Sequence, residues 1–355
     1  MKDFQYELEE LLAIVLKENA SDLHISVGRY PTLRIDGQLI PLAQREILDP
    51  EYTENLISAL LTKRQKELFL DNKELDFAYS FRNKARFRIN VFYQRGFVSA
   101  ALRLIPAEIK TIEELNLPPI LNEFANHNQG FLLITGPTWH GKSTTLASLV
   151  DKINHEKNKH IITIEDPIEY LFTQDRSIID QREVGLDTND FSRALRSVFR
   201  QDVDVIMVGE MRDAETISTA VTAAETGHLV LATLHTNNAA QTIDRIIDSF
   251  PASGQGQIRS QVANTLLGVI SQRLVPRLDG GRIPAVEVMI ANHAVRNLIR
   301  EDKIHQIDLV IDTHMEEGMI SLNRALAELV RAQKISINNA ELYSLNLQEL
   351  RNFIL

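Results

Sequence analysis

The residues best suited to chemistry are Gly136-Pro137-Thr138-Trp139-His140-Gly141-Lys142-Ser143, followed by Thr144. They fit G-x-x-x-x-G-K-[ST], a loop whose backbone N–H groups turn inward and, with the N-terminus of the next helix, cradle phosphates. Lys142 would then reach the β- and γ-phosphates of ATP, and Ser143 would hold Mg²⁺. Eight residues of this kind recur by chance in unrelated chains, so context decides. The apolar run Phe131 to Ile134 predicts a short buried strand before the loop, and Thr144 to Val150 predicts a helix after it. A plain glycine turn is the alternative, and that context weighs against it.

Carboxylates come next. The run Ile161 to Glu165 ends in Glu165-Asp166-Pro167-Ile168-Glu169, and Val203 to Val208 ends in Gly209-Glu210. Phosphoryl transfer needs carboxylate oxygen to hold Mg²⁺, directly or through water, and to position the attacking water. Glu165, Glu169 and Glu210 are therefore candidate catalytic acids and metal ligands; for either cluster alone, solvated loop acids remain the plainer alternative. In Gly227 to Thr236 a histidine stands at each end of an apolar strand. His228 and His235 would lie about 23 Å apart on opposite faces of an ideal strand, too far to share a metal ion. His235, beside Thr233 and Thr236, suits a γ-phosphate contact. For His228 a satisfied polar residue is an equal alternative.

These side chains need a scaffold that gathers strand ends. From Phe131 buried strands alternate with helices, the rhythm of a mostly parallel α/β sheet. Ile161 to Glu165, Val203 to Val208 and Leu229 to Leu234 are its expected central strands. Ligands bind beyond the carboxyl ends of such strands, where the acids and His235 fall. After about residue 257 the chain reads as mostly helical. Upstream, Phe4, Leu8, Leu11, Leu12 and Val15 predict an amphipathic helix, and Asp22 to Val27 a strand. Thr32 to Ile40 predicts a hairpin turning at Asp36-Gly37, and Pro50 to Leu70 a helix. Leu75–Phe81, Ala85–Tyr93 and Val98–Ile105 predict strands, with Arg86, Arg88 and Asn90 on one face of the second. The expected organisation is an α+β domain over 1–105, a linker over 106–120 with a short helix at Ile112 to Leu115, and an α/β domain over 121–355.

Composition narrows the classes. A net charge of −10 argues against broad nucleic-acid binding. The absence of cysteine excludes disulfides and zinc–cysteine clusters, and fits a reducing compartment. The acidic start MKDFQYELEELL does not read as a signal peptide, and no apolar run approaches the roughly 20 residues of a membrane span. A soluble chain is expected, meeting a membrane only through a partner.

The phrases ITIEDPIEY, VIMVGEMRD and GHLVLATLHTN, behind the phosphate loop, resemble the aspartate box, Walker B region and histidine box of the type IV pilus retraction ATPases, within the type II/IV secretion ATPases. SDLHISVG, ARFRINVF and AVRNLIRE at 294–301 also match that branch, so the resemblance spans almost the whole chain. It implies an N-terminal PAS-like domain, a RecA-like P-loop ATPase domain with a helical C-terminal part, and a ring homohexamer with nucleotide between subunits. The positions of Glu169 and Glu210 match the essential acids, and His228 and His235 the two histidines of the box. Arg86, Arg88 and Arg103 lie where relatives present arginines to nucleotide, although a solvated sheet face would look the same. The resemblance further implies a cytoplasmic, peripheral location at the inner membrane against a pilus platform protein, with a paralogous retraction ATPase as a further partner. ATP-driven retraction (twitching motility) is the expected activity. An extension or secretion ATPase, or a weakly hydrolysing assembly subunit, are the alternatives. Trp139-His140 departs from the usual Gly-Ser. Its indole is expected at the mouth of the site, against a neighbouring subunit or the first domain, and His140 in a pH-dependent phosphate contact.

Overall fold

Two sheets organise the chain, one in each of two units of the computed structural model: Met1–Glu108 with Pro167–Leu171, and Ile109–Asp166 with Phe172–Leu355. The structure describes residues 3–354 save Asp36, Asn83, Lys84, Pro106 and Ala107. Half of the expected Asp36-Gly37 turn and the first two residues of the expected linker thus lie outside the described residues.

In the first unit, α1 (Phe4–Lys17) starts where the Asp3 carboxylate accepts the N–H groups of Gln5 and Tyr6, and it buries Leu8, Leu11, Leu12 and Val15. The strands are β1 (Asp22–Ser26), β2 (Thr32–Ile35), β3 (Gln38–Pro41), β4 (Glu74–Phe81), β5 (Ala85–Gln94) and β6 (Phe97–Ile105). They pair antiparallel throughout, in the order β3-β2-β1-β6-β5-β4. The helix expected from Pro50 to Leu70 is two, α2 (Pro50–Ser58) and α3 (Lys63–Asn72). Thr62 and Gln65 form a reciprocal capping box that starts a new helix where the periodicity alone runs on. On β5, Ala85, Phe87, Ile89 and Val91 are buried, so Arg86 and Arg88 take the other face. Register then lines up Arg88 with Arg103 on β6, Arg103 with Asp22 on β1, and Asp22 with Arg34 on β2.

The second unit holds β7 (Gly130–Thr135), β8 (His160–Glu165), β9 (Ile178–Glu183), β10 (Val205–Val208), β11 (Leu229–Leu234), β12 (Leu266–Pro276) and β13 (Arg282–Ile290), in the order β13-β12-β7-β11-β10-β8-β9. All neighbours are parallel except the β12–β13 hairpin. Its helices are α4 (Leu121–Phe124), α5 (Lys142–Glu156), α6 (Phe191–Val198), α7 (Ala214–Glu225), α8 (Ala239–Asp248), α9 (Ala252–Thr265), α10 (His293–Arg300), α11 (Ile307–Thr313), α12 (Leu322–Arg331), α13 (Ile337–Tyr343) and α14 (Leu347–Ile354). Both faces of the sheet are covered. Phe131, Leu133, Val230 and Ala232 pack with residues of α6 to α11, while Leu132, Ile134, Leu229 and Leu231 pack with Leu146, Leu149, Val150 and Ile153 of α5. Two-sided burial makes these strands continuous apolar runs, which is why they are legible as central.

Three expectations change. The chain after residue 257 is not mostly helical at first: β12 and β13, rich in Val and Ile, extend the sheet around a turn at Asp279-Gly280-Gly281. Ile112 to Leu115 is a turn rather than a helix, closed by the Leu115 N–H on the Thr111 carbonyl. Ile112 and Leu117 are buried in the core of the second unit, so this stretch does more than link. Among the described residues no helix is long and apolar enough to cross a membrane.

Candidate nucleotide-binding and hydrolysis site

Registers set where the chemistry gathers. Thr135 lies opposite Leu234, Ala232 opposite Val208, and Val208 opposite Ile164, so β7, β11, β10 and β8 end along one edge. Beyond that edge follow the phosphate loop, His235, Gly209-Glu210 and Glu165. The loop runs tightly along β12: a Cβ on Gly136, at φ +141°, would stand 2.4 Å from the Gln272 carbonyl oxygen, which only glycine avoids. Gly141 caps α5 with no side chain to bond the first N–H groups of the helix. Those donors, with the inward-turned loop, fit a phosphate.

Lys142 is buried, and its Nζ donates to the carbonyls of Gly136 and Pro137, both at 2.9 Å. His235 Nδ1 lies 3.3 Å from the same nitrogen. An ammonium only donates, so Nδ1 accepts, and the ring proton sits on Nε2, 2.9 Å from Glu210 Oε1. Glu210 Oε2 accepts from Arg212 Nη2 at 2.8 Å, and Arg212 reaches Asp166 at 3.9 Å. A polar chain thus runs Lys142–His235–Glu210–Arg212. Burial alone would raise the Glu210 carboxyl, but Arg212 and His235 outweigh it and hold the group below the ordinary glutamate value. Glu210 therefore stays an anion, able to accept a proton or orient a water.

The other predicted acids stand apart in their bonding. Glu165 is buried at the end of β8, accepting from Thr163 Oγ1 at 2.7 Å and Gln181 Nε2 at 3.2 Å. Glu169 belongs to the segment grouped with the first unit and accepts from Arg88 Nη1 at 3.5 Å. Among the described residues no group of three or more acids, histidines or cysteines gathers to hold a metal ion. Ser143 is half-buried in the first turn of α5. In the first unit Arg103 Nε donates to buried Asp22 at 2.8 Å, and Arg86 Nη1 to Ser80 at 3.2 Å.

His228 lies at the opposite end of β11 from His235. Its Nδ1 meets the Ala223 carbonyl at 2.9 Å and its ring meets Phe199 edge-on, so in one chain it stands some six strand residues, roughly 20 Å, from the phosphate loop. It pins the end of α7 to the start of β11. His140 Nδ1 accepts the Leu274 N–H at 2.8 Å. Trp139 is 64 % exposed with φ +71°, a left-handed setting that costs a non-glycine residue about 1 kcal/mol. Thr138 and Thr144 flank the loop on either side of these substitutions, the first exposed and the second half-buried.

Sequence reasoning missed several supports. Gln272 bridges the loop, accepting from Thr145 Oγ1 at 2.7 Å and donating to the His140 carbonyl at 2.9 Å. Arg273 Nη2 donates to the carbonyl and side-chain oxygens of Asn237, both at 3.0 Å. Glu287 on β13 is buried and accepts the Ala239 N–H that opens α8, at 2.8 Å; burial pushes its carboxyl up to about 7. The only signal was the polar run Ser271-Gln272-Arg273 inside an apolar stretch.

A profile described as type II/IV secretion system protein matches residues 4–306. The type IV pilus retraction ATPase PilT of Pseudomonas aeruginosa is 45 % identical over 94 % of this chain and 97 % of its own length. The type IV pilus ATPase PilU of the same organism is 40 % identical over 98 % of this chain and 91 % of its own. A crystal structure of the pilus retraction motor PilT with bound ADP superposes with a TM-score of 0.91, at 46 % identity, covering 97 % of this chain and 98 % of that one. With a site of this geometry and matches of this extent, the chain belongs to the type II/IV secretion system protein family, on its pilus-ATPase branch.

Proposed function

We propose that this chain hydrolyses ATP to drive retraction of a type IV pilus. The observation that carries the reading is the Lys142–His235–Glu210 chain at the carboxyl edge of the sheet. Lys142 rests on carbonyls of its own loop; a nucleotide phosphate competes for that ammonium, and His235 passes the change to Glu210. Glu210, held ionised by Arg212 and His235, orients the attacking water and takes its proton. Mg²⁺, when bound, neutralises charge on the transferring phosphoryl group. Ser143 would hold it, with Glu165, Glu169 and Glu210 acting through water.

The first unit is read as PAS-like and the second as RecA-like. The working assembly is a homohexamer in which Arg86, Arg88 or Arg103 of one subunit reaches nucleotide on the next, with His228 at the same junction. The pairing of Arg103 with Asp22 and of Arg88 with Glu169 supports a held, directed guanidinium row. The ring would act from the cytoplasm on an inner-membrane platform protein, alongside a second retraction ATPase of the same family.

Phosphate release tests the enzyme. Lys142→Ala is expected to abolish turnover without unfolding the chain, and near-normal turnover in that variant would sink the assignment. Deleting the gene tests the direction of work: hyperpiliated cells mean retraction, bald cells extension.

A further inference from the structure

Strand β7 ends at Thr135, opposite Ser271, whereas β12 runs on to Pro276. The backbone of β12 past Ser271 therefore has no strand beside it on that side, and the phosphate loop occupies the space. The Leu274 N–H, which a longer β7 would have taken, is satisfied by His140 Nδ1 at 2.8 Å. Two further bonds fall on the same two loop residues. Gln272 Nε2 donates to the His140 carbonyl at 2.9 Å, and Arg282 Nη1 to the Trp139 carbonyl at 3.3 Å. The far end of β12 is itself held, because Asn339 of α13 donates to the Pro276 carbonyl at 3.0 Å and Tyr343 of α13 meets the His140 ring edge-on at 6.0 Å.

We propose that His140 is a positioning residue that stands in for a missing strand neighbour, fastening the apex of the phosphate loop to β12 and compensating the left-handed backbone of Trp139. A strained residue persists only where its surroundings over-determine it, and here the bonds on both sides of the Trp139–His140 peptide do so. The loop is thereby preset for phosphate, and the two substitutions form one device. This rests on the nucleotide-binding reading of the loop for its consequence, but not for the anchor itself.

The anchor requires a neutral imidazole with Nδ1 unprotonated. The groups facing it are Gln272 and Arg273 on β12, Arg282 on β13, Lys142 on α5 and Tyr343 on α13. Burial first, and then the charges of Arg273, Arg282 and Lys142, hold the ring's pKa below its ordinary 6.5. The anchor is complete at neutral pH and is lost as pH falls through that lowered value.

Hydrogen exchange on the nucleotide-free protein tests the anchor directly. His140→Ala is expected to speed exchange at the Leu274 amide about tenfold, whereas His140→Asn, whose Oδ1 falls where Nδ1 was, keeps it within about twofold. Calorimetry with ADP tests the consequence. His140→Ala is expected to weaken ADP about three- to tenfold at pH 8, with His140→Asn restoring it. Wild type should lose affinity below pH 6.5 more steeply than His140→Asn. In a Trp139→Gly background the cost of His140→Ala should shrink below about twofold, because the strain it offsets is gone. Unchanged Leu274 exchange in His140→Ala, or an equal cost in both backgrounds, overturns the proposal. If exchange behaves as expected but wild type binds no ADP, the anchor stands and the motor reading falls.

Discussion

At the residue scale the site depends on charge held in place. Glu210→Gln keeps the shape of the side chain but cannot take a proton, so turnover should fall at least about tenfold while ATP still binds. A rate within about threefold of wild type in a phosphate-release assay would remove Glu210 from that role. Glu287 makes a different prediction. Its carboxyl is raised from 4.5 to about 7 in the fold, so its contribution to stability is full below pH 4.5 and lost as pH rises towards 7. Glu287→Gln, neutral throughout, should therefore be more stable than wild type at pH 8 by about 1–3 kcal/mol, with the gap closing near pH 4.5. Urea midpoints at the two pH values read this, and a gap independent of pH would refute it. Lys142, Glu210 and His235 were legible in the sequence because each follows a buried strand that could be recognised by its apolar run. Their partners were not. Whether His140 faces phosphate or Leu274 depends on how far β12 outruns β7, and that is a matter of register across 134 residues.

At the element scale α10 changes its meaning. By its spacing the AVRNLIRE stretch is an amphipathic surface helix with Arg296 on the polar side. In the fold the Arg296 guanidinium donates to the carbonyls of Ala291, Asn264 and Leu266 at 2.7–3.0 Å, closing the end of α9 and the start of β12. Arg296→Ala should thus cost about 1–3 kcal/mol in urea, because three carbonyls lose their donor. Asn297→Ala, which removes only an exposed acceptor of Arg300, should cost less than about 0.5 kcal/mol. Motility lost in Arg296→Ala would then need a stability control before it spoke of coupling. The helix itself was legible from its period. Its role was not, since an arginine on backbone carbonyls leaves no trace in spacing. The β12–β13 hairpin escaped for a related reason: its polar Ser271-Gln272-Arg273 interrupts the apolar run that marks a buried strand.

At the scale of the whole molecule, a site that borrows arginines should work only when assembled. Light scattering with ATP is expected to show a hexamer, and activity per subunit should fall on dilution below assembly; full turnover by a strict monomer would refute the shared site. The two-unit plan and the parallel core were legible because each unit has its own rhythm, period two before residue 105 and strand–helix alternation after 131. The split of the helix after Pro50 was not, because a capping box is a reciprocal contact between two side chains rather than a pattern of polarity. Trp139 carries one more consequence. It is the sole tryptophan of the chain, exposed at the lip of the phosphate loop. The protein therefore contains its own fluorophore beside the proposed phosphate loop. Intrinsic emission should follow loading and ring closure in real time, with no label attached and no second indole to dilute the signal.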